Sequence, residues 1–269
     1  MSPFEQALIL GVVQGLSEFL PISGDGHLAL TQLLLEVEGG GLTLSVLLHL
    51  GTLIAATVYF RERLAAVLLD LGKQLRRGRL PAPAAVGWDA VLIVIAALPT
   101  GIIGLLSRDT IASWTEEPLV TGFGFVITAC LLTSSLWTKP GTLTSPSLWG
   151  ALLLGVAQGL AVVPGVSRSG ITIVAALWLG LRAERAFELS VLMSLPVVVA
   201  AIALELMVSV SPTPTALAFA AGTVTSLGFG YLSLGLLRRV LAAGNIAWFA
   251  LWVLPLALAT LALAKAWPS

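Results

Sequence analysis

The chain has 269 residues and no net formal charge; 57% of its residues are hydrophobic and only 10% are charged. A soluble domain carries about 25% charged residues, so this composition cannot cover a water-facing surface. Several apolar runs approach the ~20 residues that span a bilayer. The expected class is therefore a single all-α polytopic membrane domain over residues 1–269. A bilayer is its expected partner; nucleic acid is not. The single cysteine, Cys130, excludes an intrachain disulfide and reads as packing within an apolar run. The opening MSPFEQALIL lacks a basic n-region, so the first segment is expected to be retained.

In chain order, residues 4–20 form a short apolar helix stopped by Pro21, residues 22–27 a polar break, and 28–35 a second short apolar run. Neither run is long enough to span comfortably, and together they predict a re-entrant hairpin. Non-helical backbone at membrane depth is tolerated where it is buried in protein or lines a cavity. Full spans are expected at about 43–60, 89–106 and 119–137. A second broken pair covers 148–178, and spans at about 187–208, 215–237 and 247–264 close the chain. Residues 79–87, RLPAPAAVG, read as a connecting loop. Trp114, Trp137, Trp149, Trp248 and Trp267 fall near predicted span ends, as an interfacial aromatic belt would.

The halves, about 4–137 and 148–265, repeat. GVVQGL at 11–16 recurs as GVAQGL at 155–160, and LSVLLHLGTLIAA at 44–56 recurs as LSVLMSLPVVVAA at 189–201. Pro21 matches Pro164, and Ser23 matches Ser167 after a one-residue shift. With three spans per half and hairpins that return to their own side, the repeat is inverted. Arg61, Arg63, Lys73, Arg76, Arg77, Arg79, Lys139, Arg182, Arg185, Arg238 and Arg239 then share one face, against Arg108 and Lys265 on the other. The positive-inside rule makes the first face cytoplasmic and puts both termini outside. Inverted repeats with broken helices place their site near the midplane, where the breaks meet.

The two breaks carry different chemistry. Arg168 is the only charged residue between Leu148 and Leu181. An arginine at mid-bilayer costs about 2.5–3.5 kcal/mol on insertion scales and therefore needs a partner or a wet cavity. Ser167 and Ser169 offer hydroxyls beside it, and Pro164, Gly165 and Gly170 interrupt the helix, as an anion cradle requires. In the first break Gln14 and Glu18 share a helix face, and Ser23, Gly24, Asp25, Gly26 and His27 form the tip. Glu18 and Asp25 are oxygen donors suited to Mg²⁺ or Ca²⁺, and His27 suits general acid, base or nucleophile roles.

Duller readings stand beside these. Glu18 simply neutralises Arg168 within a kinked structural helix, His27 bonds backbone at a helix start, and Asp25 is a solvated turn residue. Gln14 and Gln158 occupy matching repeat positions and bridge helices. His49, whose repeat mate is Ser194, reads as structural. Glu188 and Glu205 read as interfacial.

GVVQGLSEFLPISGDGH and PGVSRSGIT resemble the two signature stretches of the undecaprenyl-diphosphate phosphatases, integral membrane enzymes of the bacitracin-resistance type. The resemblance covers nearly the whole chain. It implies a multi-pass protein of the bacterial inner membrane that removes the terminal phosphate of the C55 polyprenyl diphosphate carrier, giving the monophosphate reused in cell-wall and peptidoglycan synthesis. It also implies a divalent metal, chemistry on the outer, periplasmic side, and compatibility with a homodimer. Carried over by position, Glu18 is the second motif glutamate, His27 the histidine and Arg168 the phosphate-binding arginine, with Ser167, Ser169 and Thr172 as flanking hydroxyls and Gln14 beside the substrate.

This chain departs from the family twice. The pattern has glutamate where Gln14 stands, and a Ser-Ser-Thr-Gly-His run where residues 23–27 read Ser-Gly-Asp-Gly-His. The serine proposed as nucleophile is here Gly24, so Ser23, Asp25, His27 or a metal-bound water has to attack. Asp25 then offsets the missing carboxylate at position 14. The alternative class is a transporter or flippase of polyprenyl phosphate or a similar anionic lipid, acting without hydrolysis.

Overall fold

The computed structural model describes residues 1–35, 37, 41–115, 117–208 and 215–266; Trp267 lies outside them, as do the side chains of Arg108, Glu205 and Lys265. Regular structure among the described residues is helical. In order, the helices are α1 (Pro3–Phe19), α2 (Gly24–Leu34), α3 (Gly41–Tyr59), α4 (Arg61–Leu75), α5 (Trp88–Leu106), α6 (Arg108–Thr115), α7 (Pro118–Ser134), α8 (Leu148–Leu160), α9 (Arg168–Trp178), α10 (Ala183–Val208), α11 (Ala216–Ala242) and α12 (Ala250–Ala266). Short 3₁₀ turns extend α7 over Ser135–Trp137 and precede α12 over Ile246–Phe249.

Five helical stretches among the described residues are long and apolar enough to cross a membrane: Trp88–Leu106, Pro118–Trp137, Ala183–Leu204, Ala216–Ala242 and Ile246–Ala264. These coincide with expected spans. The remaining expected span, 43–60, falls on α3, which is apolar over Leu48–Tyr59, where side chains are described. Exposed leucines along these helices, such as Leu98, Leu105, Leu232 and Leu251, form the surface that lipid covers. Two elements were missed by the sequence reading. Helix α4 is amphipathic and carries Arg61, Glu62, Arg63, Asp70 and Lys73, burying Val67 while Leu68 and Leu69 stay exposed. Helix α6 is only eight residues long.

The repeated GVVQGL and GVAQGL stretches have a packing reason. Gly11 and Gly15 of α1 lie against α11, where an added Cβ would sit 2.7 Å from the Gly222 and Ser226 carbonyl oxygens. Their mates Gly155 and Gly159 lie against α5, where a Cβ would meet Pro99 at 2.7 Å and Ile103 at 2.6 Å. Small residues four apart let the backbones approach closely, the interface that dispersion favours between helices in lipid. Close approach also lets hydroxyls reach carbonyls of the partner: Ser233 Oγ donates to Gly15 O at 2.9 Å, and Thr100 Oγ1 to Gly155 O at 2.8 Å. Helices α3 and α10 pack on one another, as do α7 and α12. The two half-helix pairs, α1–α2 and α8–α9, are thereby held inside the bundle.

Candidate active site

Both hairpins break where the sequence reading put a proline, but the first break is shorter than expected. Helix α1 ends at Phe19 and α2 begins at Gly24, so the non-helical backbone covers residues 20–23. Asp25, Gly26 and His27 therefore stand on the first turn of α2 rather than in a loop. The reason is local: Ser23 Oγ accepts from the Gly26 N–H at 3.4 Å and caps the helix early. Ser23 takes φ +71°, a positive value rare outside glycine that costs about 1–3 kcal/mol. The second break, residues 161–167, repeats the device, with Ser167 Oγ accepting from the Gly170 N–H at 3.1 Å.

The breaks meet. Ser169 Oγ donates to the Leu20 carbonyl at 3.2 Å, and a Cβ on Gly26 would lie 3.0 Å from Gly165 Cα. The N-termini of α2 and α9 consequently converge, each adding partial positive charge from its unpaired N–H groups. At this junction the Arg168 guanidinium bonds Glu18 Oε1 directly. Gln14 Nε2 donates to Glu18 Oε2 at 3.0 Å. The Glu18 side chain is 5% exposed and that of Arg168 25%. A carboxylate so enclosed needs these partners, because removing one member of a buried pair costs about 3–5 kcal/mol.

The remaining expected residues divide into two groups. His27 lies beside the junction: Nδ1 is 2.8 Å from the Ser23 carbonyl oxygen, the Phe125 ring packs edge-on at 5.4 Å, and Nε2 is 3.0 Å from Trp252 Nε1. Asp25 is exposed at the mouth. The hydroxyls of Ser167, Ser169 and Thr172 are instead committed internally. Ser167 and Ser169 contact each other at 3.2 Å, and Thr172 Oγ1 donates to the Arg168 carbonyl at 2.7 Å while meeting Ser190 Oγ at 2.5 Å. They brace the Arg168 turn from behind. Thr128 of α7 locks the same break, accepting from the Ser167 N–H at 2.9 Å and donating to Gly165 O at 2.7 Å.

His49 was read as structural, yet it belongs to the junction. Its Nε2 is 3.7 Å from Glu18 Oε2 and 3.6 Å from Asp25 Oδ1, so it links the two acids. The signal available was its chemistry: an ionisable side chain inside an apolar run is a functional candidate. Glu188, read as interfacial, also has a specific place. It forms a four-charge network with Arg185 (2.6 Å) and Arg63 (2.9 Å), which in turn hold Asp89 at 2.8 and 2.5 Å. That network ties α4, α5 and α10 together.

Among the described residues no three His, Cys, Asp or Glu side chains form a preformed metal cage. The donors present fit a looser arrangement. Glu18 and Asp25 both face His49, and the buried Gln14 Oε1 has no hydrogen-bond partner. Mg²⁺ is commonly held by one or two carboxylates and completed by substrate phosphate oxygens and water.

Comparison with known proteins places this arrangement. A chain of Treponema denticola named undecaprenyl-diphosphatase is 37% identical over 256 residues, covering 94% of both proteins. One of Methanosphaera stadtmanae with the same name is 36% identical over 259 residues, 91% of this chain and 92% of the relative. A third, from Desulfatibacillum aliphaticivorans, is 37% identical over 261 residues. The family described as Bacitracin resistance protein BacA matches residues 7–259, which takes in both breaks and every helix that holds them, and this chain belongs to that family.

Proposed function

We propose that this protein hydrolyses undecaprenyl diphosphate or a closely related polyprenyl diphosphate, releasing inorganic phosphate and leaving the lipid monophosphate. The observation that carries the reading is the Glu18–Arg168 pair across the meeting breaks, with His27 beside it. The relatives named for this activity, and the share of their length that aligns here, support it.

The residues divide the work as follows. Arg168 presents a forked set of donors, and the N-termini of α2 and α9 add oriented N–H groups, so a terminal phosphate at the junction meets positive potential from three directions. Gln14 and Glu18 aim that guanidinium. Gly24 has no side chain and so supplies no nucleophile, while Ser23 Oγ accepts from the Gly26 N–H and is held at the start of α2. His27 Nε2, which accepts from the Trp252 indole N–H in this structure, is the base once that bond yields: it takes a proton from water as the water oxygen bonds to the terminal phosphorus. The bond from that phosphorus to the bridging oxygen breaks, and the lipid monophosphate leaves with the electron pair. Nδ1–H, bonded to the Ser23 carbonyl, keeps the ring aligned as charge develops on it.

Glu18 and Asp25 would be the residues to hold Mg²⁺ or Ca²⁺, with the unpartnered Gln14 Oε1 as a neutral oxygen donor. When bound, such an ion neutralises phosphate charge that Arg168 alone leaves uncompensated. The uneven distribution of arginine and lysine supports an inverted two-fold repeat, in the bacterial inner membrane, with the site opening to the outer face. The lipid tail then lies along exposed apolar helix surface, and the whole chain acts as one domain.

The test is phosphate release by purified protein from undecaprenyl diphosphate with Mg²⁺. The wild type is expected to turn over, and His27→Ala to lose about 10²-fold or more in kcat with retained fold. Binding of the lipid without phosphate release, or lipid movement between leaflets without hydrolysis, overturns the reading.

A further inference from the structure

The two ring nitrogens of His27 have assigned partners of opposite kind. The Ser23 carbonyl oxygen 2.8 Å from Nδ1 accepts and never donates, so Nδ1 carries a proton. The Trp252 indole N–H 3.0 Å from Nε2 donates and never accepts, so Nε2 presents its lone pair. The neutral Nδ1–H tautomer is the one arrangement that satisfies both contacts. The rings lie 15° from parallel with centroids 6.4 Å apart, an arrangement compatible with an edge-to-edge N–H···N bond.

Trp252 does little else in the fold. It stands on α12, 58% exposed, between the exposed Leu251 and Leu254 on a helix whose surface faces lipid. An indole N–H at such a place would be unsatisfied in hydrocarbon, so the bond to His27 removes its desolvation cost. The same bond fixes His27 and covers its reactive nitrogen on the lipid side.

We propose that Trp252 is a positioning residue for hydrolysis: its indole N–H, with the Ser23 carbonyl, holds His27 in the Nδ1–H tautomer with the Nε2 lone pair directed at α12, and yields that lone pair when substrate and water arrive. The proposal rests on the reading of His27 as the base.

The chain has two histidines, His27 and His49, so ¹⁵N-imidazole NMR of the full protein in detergent or nanodiscs resolves the question directly. Trp252→Phe keeps a ring but removes the donor. The expected result is a downfield shift of the His27 Nε2 resonance as it loses its donor, with Nδ1–H still bonded to the Ser23 carbonyl and His49 signals unchanged. On undecaprenyl diphosphate the same variant should lose about tenfold in kcat with KM nearly unchanged. Trp248→Phe, at another exposed tryptophan near the start of the same helix, serves as control and should match the wild type in both. A wild-type His27 spectrum in Trp252→Phe overturns the proposal, as does an unchanged kcat or an effect confined to KM. The spectrum does not depend on turnover. An inactive wild type with the expected shift would therefore break the hydrolysis reading while leaving the Trp252–His27 bond established.

Discussion

The two breaks start from matching sequence and end with different chemistry. Each follows a GVxQGL helix, contains a proline, and restarts on a serine whose hydroxyl caps the third N–H beyond it. The first carries the acids and His27; the second carries Arg168. The first is short and strained at Ser23, whereas the second is longer and clamped to α7 through Gly124, Gly165 and Thr128. The difference separates two tasks that one repeat cannot perform alone. The second break presents a guanidinium at a clamped point, and the first leads into the turn of α2 that carries the exposed Asp25 and the half-buried His27. The matching GVxQGL helices supply the frame, and the unlike residues at the two capping turns supply the chemistry.

The contrast can be broken most severely at the clamp. Gly165 has φ +87°, and a Cβ there would collide with the Thr121 carbonyl and lie 2.8 Å from the Phe125 nitrogen. Both are backbone atoms that cannot step aside. Gly165→Ala should cost about 3 kcal/mol or more and appear as a large fall in thermal stability in detergent. An equally stable protein would show that the second break is not rigid.

Next is the charge itself. Arg168→Lys keeps the cation but loses the fork that bonds Glu18 and phosphate together. Turnover should fall by about 10²-fold, the order found when one donor to a developing oxyanion is removed, with the melting temperature close to wild type. Full activity would make Arg168 a structural ion-pair member and nothing more.

Smaller effects sharpen the first break. Asp25→Asn should raise the Mg²⁺ concentration for half-maximal phosphate release about tenfold, as loss of one of two carboxylates implies. Unchanged metal affinity and rate would remove Asp25 from the site. Gly24→Ser restores the serine usual at that position in the family pattern. Its Cβ would lie 3.2 Å from both Glu18 Cα and Glu18 Oε2, so Glu18 has to give by a few tenths of an ångström. We expect a change of only a few-fold in kcat, about 1 kcal/mol. A rise of 10²-fold would show that this chain performs best with a serine nucleophile it lacks.

Much of the arrangement was readable before any coordinates. Apolar runs located the spans, because a bilayer demands about 20 residues whatever the neighbours. Pro21 and Pro164 located the breaks, and the lone Arg168 pointed to a partner on charge alone. His49 and Trp252 were not readable in this way. Each stands on a mostly apolar helix that holds other polar side chains, and its meaning lies in what stands opposite. The start of α2 was misplaced for a related reason: Gly-Asp-Gly reads as a turn, and only the Ser23 cap draws it into helix.

Composition, run length and the internal repeat alone determined a helical membrane protein with two interrupted hairpins and an arginine inside the second, since insertion energetics act on each segment separately. Tertiary structure decided which partners those segments bring together. Glycine faces on α1 and α8 let neighbouring backbones approach within ångströms, and that approach sets the breaks against each other, joins Glu18 to Arg168, and draws His49 and Trp252 to the same point. No local pattern encodes those distances, because they are sums over helices that meet only once the bundle has packed.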